Sequence, residues 1–165
     1  MELPLKGGCV CGAVRYEIAR EPLRVYACHC TDCQRFTGSA FAIGVVVPSE
    51  AFHLTGSETR LVPNGITEGG RRKRLSACPE CGTRLFGELR PDWRCKGMVR
   101  AVLGGTLDDT SWLRPTIHVW TRSAQPWVIL PDGSTLYERS PQETEKMPEH
   151  QLTGRNNSAH DNKSV

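Results

Sequence analysis

Apolar and polar residues alternate with a period of two along several short stretches of the chain. Within residues 9–18, Cys9, Cys11 and Ala13 take one parity and Val14, Tyr16 and Ile18 the other, the pattern of a strand with one face turned inward. Further strand-like segments fall at 23–28, 41–47, 72–77, 84–89, 98–103 and 116–121, short and mostly set apart by glycine or proline. Only Thr31 to Phe36 reads as a helical turn, with Thr31 placed as its N-cap. Strands do not alternate with long helices, so a parallel α/β sheet is not expected, and no repeat is visible. The pattern predicts a mainly β protein.

After Tyr137 the composition changes. Residues 138–165 are almost all polar, with two prolines and three asparagines. The division expected is a folded domain over 1–137 and a polar, flexible C-terminal tail over 138–165. A chain of 165 residues suits one domain plus such a tail, and can bury roughly 70% of the surface its unfolded form exposes. A real core is therefore expected, with metal supplementing it.

Charge narrows the partners. The net charge of +3 is too mild to demand nucleic acid, and suits small anionic ligands equally well. Residues 1–8 carry acid and base without the apolar stretch of a secretory leader, and no run approaches the ~20 apolar residues of a membrane span. The expected location is the cytoplasm, with no membrane association. Thiols stay reduced there, so eight cysteines point to metal ligation rather than to disulfides.

Seven of those cysteines fall in three groups. Cys9-Val10-Cys11-Gly12 is C-x-C-G, Cys28-His29-Cys30-Thr31-Asp32-Cys33 is C-H-C-x-x-C, and Cys78-Pro79-Glu80-Cys81-Gly82 is C-P-x-C-G. In the last, proline fixes φ and glycine admits a left-handed backbone, which folds the loop so that both sulfurs point inward. In C-x-C on a strand, residues i and i+2 share a face. Two such pairs make a tetrahedral four-thiolate site suited to zinc or iron. The middle group offers three sulfurs from six residues and leaves a fourth position open, the mark of a catalytic rather than a structural zinc. Spacing alone leaves the pairing open: the knuckle at Cys78 and Cys81 can join either the first pair or two cysteines of the middle group.

Other residues carry plainer readings. Cys95 stands alone and reads as a small core residue. His29 should point away from the ligand face, as a hydrogen-bonding or surface histidine, and His118 reads as a structural histidine in a strand. Arg71, Arg72, Lys73, Arg74 and Arg35 can pair with carboxylates, though a solvated strand face explains at least half of them. Thr31, Asp32 and Ser39 lie near the middle group, yet none is compelling as a general base. Metal should matter to the fold, because structural zinc contributes ~10–16 kcal/mol of apparent binding free energy in small peptides while whole domains hold only ~5–15 kcal/mol of net stability.

Taken in order, Gly8-Cys9-Val10-Cys11-Gly12-Ala13-Val14, Cys28-His29-Cys30-Thr31-Asp32-Cys33-Gln34 and Cys78-Pro79-Glu80-Cys81-Gly82-Thr83-Arg84-Leu85-Phe86 resemble the glutathione-dependent formaldehyde-activating enzyme family, which includes centromere-protein-V-like members. Gly104-Gly105-Thr106-Leu107-Asp108 and Pro115-Thr116-Ile117-His118-Val119-Trp120 are similar to further family segments, so the likeness runs from about residue 5 to residue 130. The resemblance implies small, mainly antiparallel sheets stapled by cysteine-ligated zinc. It implies two zinc sites: a structural one on Cys9, Cys11, Cys78 and Cys81, and a catalytic, open one on Cys28, Cys30 and Cys33, the site that can stand empty. It further implies a carbon–sulfur lyase that joins formaldehyde to glutathione, or a related small thiol to an aldehyde. Two rivals stand beside it. One is a non-catalytic zinc module contacting nucleic acid, chromatin or a protein partner, against which the mild charge counts; the other is a scaffold with the second site vestigial. The oligomeric state is left open, a homodimer included.

Overall fold

The computed structural model describes residues 1–67, 70, 72–88 and 99–141. Among the described residues the strands form two sheets. The smaller is built from β1 (Leu5–Gly8), β2 (Arg15–Ile18) and, after an excursion, β5 (Phe52–Leu54). Between them run β3 (Arg24–Cys28), the helix α1 (Thr31–Thr37) and β4 (Ala42–Pro48). The chain continues through β6 (Arg60–Ile66), β7 (Arg72–Ala77), β8 (Arg84–Glu88), β9 (Val99–Leu103), β10 (Ile117–Val119) and β11 (Thr135–Tyr137). The smaller sheet has the order β1-β2-β5 and the larger β11-β10-β3-β4-β9-β8-β7-β6. Neighbours are antiparallel except for β10, which runs parallel to both β3 and β11.

The core lies between the sheets. On β2, Tyr16 and Ile18 are buried while Arg15 and Glu17 are only half-buried, the alternation the sequence displays. The Tyr16 ring stacks on Phe52 at 5.0 Å, and Phe52 meets Phe86 at 4.6 Å. Val45, Val47, Leu85 and Val102 close around them. β4 is buried on both faces for most of its length, as its run Val45-Val46-Val47 and its central place in the sheet require. Gly44 in that strand has no room for a side chain: a Cβ there would lie 2.3 Å from the Tyr26 ring.

Three local expectations are revised. Residues 9–14 are a turn and not the first half of a strand. Gly12 adopts φ 80°, and the Cys9 amide bonds the Val14 carbonyl at 3.0 Å, so the chain doubles back before β2 begins. The helix cap is Cys30 and not Thr31. Cys30 keeps an extended backbone and its sulfur accepts the Cys33 N–H, which leaves Thr31 inside the helix; α1 then ends on left-handed Gly38. Four strands, β1, β5, β6 and β11, were not expected. β6 and β11 form the sheet's edges, where Pro63 and Gly65 are tolerated although they read as strand breakers.

Beyond the expected domain boundary at 137, the Trp120 amide donates to the Arg139 carbonyl at 3.0 Å and its indole N–H to Ser140 Oγ at 3.1 Å. Residues 142–165, Cys95 and Arg71 lie outside the described residues, as do the side chains of Arg72 and Lys73. Among the described residues, no helix is long and apolar enough to cross a membrane.

Candidate metal centres

Two loops from distant parts of the chain form the first cluster. The turn after β1 carries Cys9 and Cys11, and the turn between β7 and β8 carries Cys78 and Cys81. Each turn is closed by a glycine in the left-handed region, where a side chain would be strained. The Gly12 N–H (φ 80°) bonds the Cys9 carbonyl at 3.1 Å, and the Gly82 N–H (φ 74°) bonds the Cys78 carbonyl at 3.1 Å. All four sulfurs lie within 4.8 Å of one another. Cys9 Sγ is 3.3 Å from Cys11 Sγ, which is 3.7 Å from Cys78 Sγ. A tetrahedral zinc with Zn–S bonds of about 2.3 Å places its sulfurs about 3.8 Å apart, so the cage fits the ion.

Neighbouring groups finish this cage. The Val14 N–H points at Cys9 Sγ at 3.2 Å, and the Thr83 hydroxyl sits 3.2 Å from Cys81 Sγ while accepting the Val10 N–H at 3.3 Å. Thr83 thereby ties the two loops together. Its hydroxyl and amide hold the Cys81 thiol down at about 5. At Cys11 the Ala13 amide favours the thiolate, but the sulfurs of Cys9 and Cys81 outweigh it and push the thiol up to about 12. Four thiols sharing so little space cannot all ionise without a cation, and a divalent ion between them removes that conflict.

The second cluster is local. Cys28 ends β3, Cys30 caps α1 and Cys33 lies in its first turn, so one strand-to-helix corner brings the three sulfurs within 4.8 Å of one another. Cys28 Sγ and Cys30 Sγ are 3.5 Å apart, and the Cys33 amide donates to Cys30 Sγ at 3.3 Å. The three are buried among Ala42, Val119 and Trp120, with Tyr26 packed alongside. The sulfurs of Cys30 and Cys33, together with burial, push the Cys28 thiol far above its ordinary value. Three crowded sulfurs at zinc spacing fit a divalent ion and leave one coordination position to another donor.

The residues around this corner separate into those that touch it and those that do not. His29 lies between two of the cysteines but turns away from them. It is fully buried, its Nε2 is 3.0 Å from His118 Nδ1, and its ring packs on Phe41. Burial holds both imidazoles below their usual range, as neutral partners. Burial pushes the Tyr26 phenol up and keeps it neutral, an effect the three sulfurs reinforce. Arg35, in the last turn of α1, and Arg74 are both exposed. Arg84 reaches from β8 to the Phe36 carbonyl at the end of α1 and stacks on the Phe36 ring at 4.9 Å.

Sequence reasoning overlooked four residues here. Tyr26 gave no chemical signal. Trp120 adopts φ 61°, the one described non-glycine residue with positive φ, and Arg122 stacks on its ring at 5.0 Å. Gln34 stands in the family-like string after Cys33, and its amide donates to the His29 carbonyl and to the Ser123 carbonyl, both at 2.8 Å. Gln125 in turn donates to Gln34 Oε1 at 2.8 Å. Nothing in the sequence sets Gln125 apart.

Residues 4–123 match the family model described as glutathione-dependent formaldehyde-activating enzyme. A Talaromyces marneffei protein named for that activity is 24% identical over 127 residues, covering 76% of this chain and 65% of its own length. An Aspergillus flavus protein named likewise is 31% identical over 110 residues, covering 66% of this chain and 54% of its own. The chain thus spans about half to two thirds of the length of these relatives. A Rhodobacter sphaeroides protein of known crystal structure aligns over 80% of this chain and 98% of its own, with a TM-score of 0.47 and 20% identity. The matched residues take in both cysteine clusters, and on that match the chain belongs to the glutathione-dependent formaldehyde-activating enzyme family.

Proposed function

We propose that the protein is a zinc-dependent carbon–sulfur lyase that joins a small thiol, glutathione foremost, to an aldehyde, and cleaves the same adduct in reverse. The observation that carries this reading is the buried group of Cys28, Cys30 and Cys33, three sulfurs within 4.8 Å in a family named for this chemistry. Cys9, Cys11, Cys78 and Cys81 hold the structural ion in the same reading. An ion on the three-cysteine site would supply Lewis acidity toward a carbonyl oxygen and lower the pKa of a thiol.

The chain's own residues set the conditions. Cys28, Cys30 and Cys33 supply the charge and geometry that hold the ion, and the Cys33 N–H stabilises negative charge on Cys30 Sγ at 3.3 Å. Ala42, Val119 and Trp120 exclude water from the corner, which strengthens every electrostatic interaction in it. Tyr26 and His29 stay neutral and add no competing charge. Arg35, exposed in the last turn of α1, offers a guanidinium group to a carboxylate of a peptide thiol. In the reaction the S–C bond forms, the carbonyl π bond breaks, and the thiol proton ends on the former carbonyl oxygen; the reverse returns it to sulfur.

The test is exchange spectroscopy on an equilibrating mixture of glutathione and formaldehyde, with the uncatalysed rate subtracted. The zinc-loaded protein should accelerate adduct exchange. Cys33→Ser should abolish that acceleration while far-UV circular dichroism stays unchanged. Full acceleration by Cys33→Ser would show that the second cluster is not the reacting centre.

A further inference from the structure

The geometry points to Gln34 as the positioning residue of the Cys28–Cys30–Cys33 site, a carboxamide that presets the spacing of the three sulfurs before an ion arrives. This rests on the reading of that cluster as a metal site. The three cysteines come from two pieces of chain with different constraints. Cys28 and Cys30 flank His29, while Cys33 belongs to α1. Within the helix, the Cys33 N–H to Cys30 Sγ at 3.3 Å and the Gln34 backbone N–H to the Cys30 carbonyl at 3.1 Å tie α1 to its cap residue Cys30, but neither reaches His29 or Cys28.

Gln34, one residue beyond Cys33, supplies that constraint. Its Nε2 donates one hydrogen to the His29 carbonyl and the other to the Ser123 carbonyl, each at 2.8 Å. Both partners are carbonyl oxygens, so the atom facing them must be the nitrogen and the amide orientation is settled. Its Oε1 accepts the Gln125 side-chain N–H at 2.8 Å, which holds the amide in that orientation. On the other side of the same residue, the His29 N–H donates to the Val119 carbonyl at 3.0 Å. The link between Cys28 and Cys30 is therefore gripped at its N–H by β10 and at its C=O by the helix that carries Cys33. Gln34 also fastens the corner to residues 121–125, next to Trp120, the wall over the sulfurs.

This arrangement is what a metal site needs outside its ligands. Groups that fix ligand orientation reduce the ordering that binding must impose, and their loss typically weakens metal affinity ~10–100-fold. Only hydrogen bonding can do this here, because the amide bridges two carbonyls and a third amide. Methionine of similar length fills the space without donating. Glutamate keeps the shape but turns an acceptor toward two carbonyl oxygens.

The experiment is a cobalt(II) titration of the metal-free full-length chain, followed by thiolate-to-cobalt charge-transfer and d–d absorption, with a chromophoric chelator as competitor. The wild-type chain should bind two cobalt ions in resolvable steps. Gln34→Ala and Gln34→Met should weaken the three-cysteine step ~10–100-fold and shift its d–d bands, leaving the four-cysteine step unmoved. Gln34→Glu should be at least as weak as Gln34→Met. Gln125→Ala removes only the bond that orients the amide and should weaken the step about 2- to 5-fold, a readout that survives if the Gln34 variants fold poorly. Wild-type affinity and spectrum in Gln34→Met would overturn the proposal. A wild-type chain that takes up a single cobalt would sink the reading of the second cluster, and this proposal with it, a result distinct from a two-cobalt protein indifferent to Gln34.

Discussion

Removing one sulfur from each cluster should separate an ion that holds the fold from an ion that sits on it. Cys81→Ser is the perturbation for the first cluster, because Cys81 is exposed and its loss opens no cavity. The four-sulfur cage joins segments 67 residues apart, Cys11 to Cys78. Treated as a cross-link of that span, it removes about 4 kcal/mol of loop entropy from the unfolded chain. The three-sulfur corner closes a loop of roughly five residues, worth about 2 kcal/mol on the same scale. Set against a whole-domain stability of ~5–15 kcal/mol, the first loss is a large fraction and the second a modest one. For a chain of this size 4 kcal/mol corresponds to a melting shift of roughly 8–16 °C, and Cys33→Ser should shift it about half as much. The assay is thermal and guanidinium unfolding of zinc-loaded wild type, Cys81→Ser and Cys33→Ser, with bound zinc counted in each. Repeating it after chelation should bring wild type and Cys81→Ser together. If Cys81→Ser loses its zinc yet melts with wild type, or if Cys33→Ser costs as much, the stapling argument fails.

Three further outcomes follow from the same geometry. Burial pushes the Tyr16 phenol up to about 12 against an ordinary value near 10, so the folded state holds its proton more tightly than the unfolded one. That stability is complete below pH 10 and should fall by about 2 kcal/mol as pH rises to 12, with phenolate absorbance appearing two units late; a normal titration near 10 would refute the burial. In the metal-free chain at neutral pH, Cys81, held at about 5, should alkylate well before Cys11, held up to about 12, as peptide mass mapping of iodoacetamide-treated protein can read. Phe52→Ala removes the ring between Tyr16 and Phe86 and should cost about 3–5 kcal/mol in denaturant titrations while zinc stoichiometry stays at the wild-type value.

Much of this site was legible because its chemistry is written in contiguous strings. Cysteine spacing announced the knuckle at Cys78 and Cys81 and the corner at Cys28 to Cys33, since turn geometry is local and proline and glycine mark it. Which pair shares an ion with which is a long-range fact. Spacing left it open, and only the family-like order of the strings suggested a division. The same limit explains the misread turn at Cys9: alternation continued through residues 9–14, but the Gly12 conformation and the bond from Cys9 to Val14 broke the strand. Edge strand β6 was invisible because an edge relaxes the rules that exclude proline and glycine, and β11 because three residues are too few to show an alternation. Gln34, Gln125 and Trp120 went unread for a different reason. Their roles consist of contacts with residues roughly ninety positions away, and no local pattern records those.

The pairing of β3 with β10 has a consequence for how the second cluster is made. His29 and His118 are 89 residues apart, and so, nearly, are Cys28 and the Val119 strand that covers it. A ribosome adding 5–20 residues per second takes roughly 5–20 s to cross that interval. For that time the three thiols exist in the growing chain while β10 and Trp120 do not. The corner that ends buried thus begins open to any thiophilic ion in its surroundings, and the wall that later excludes water closes over whatever has been captured.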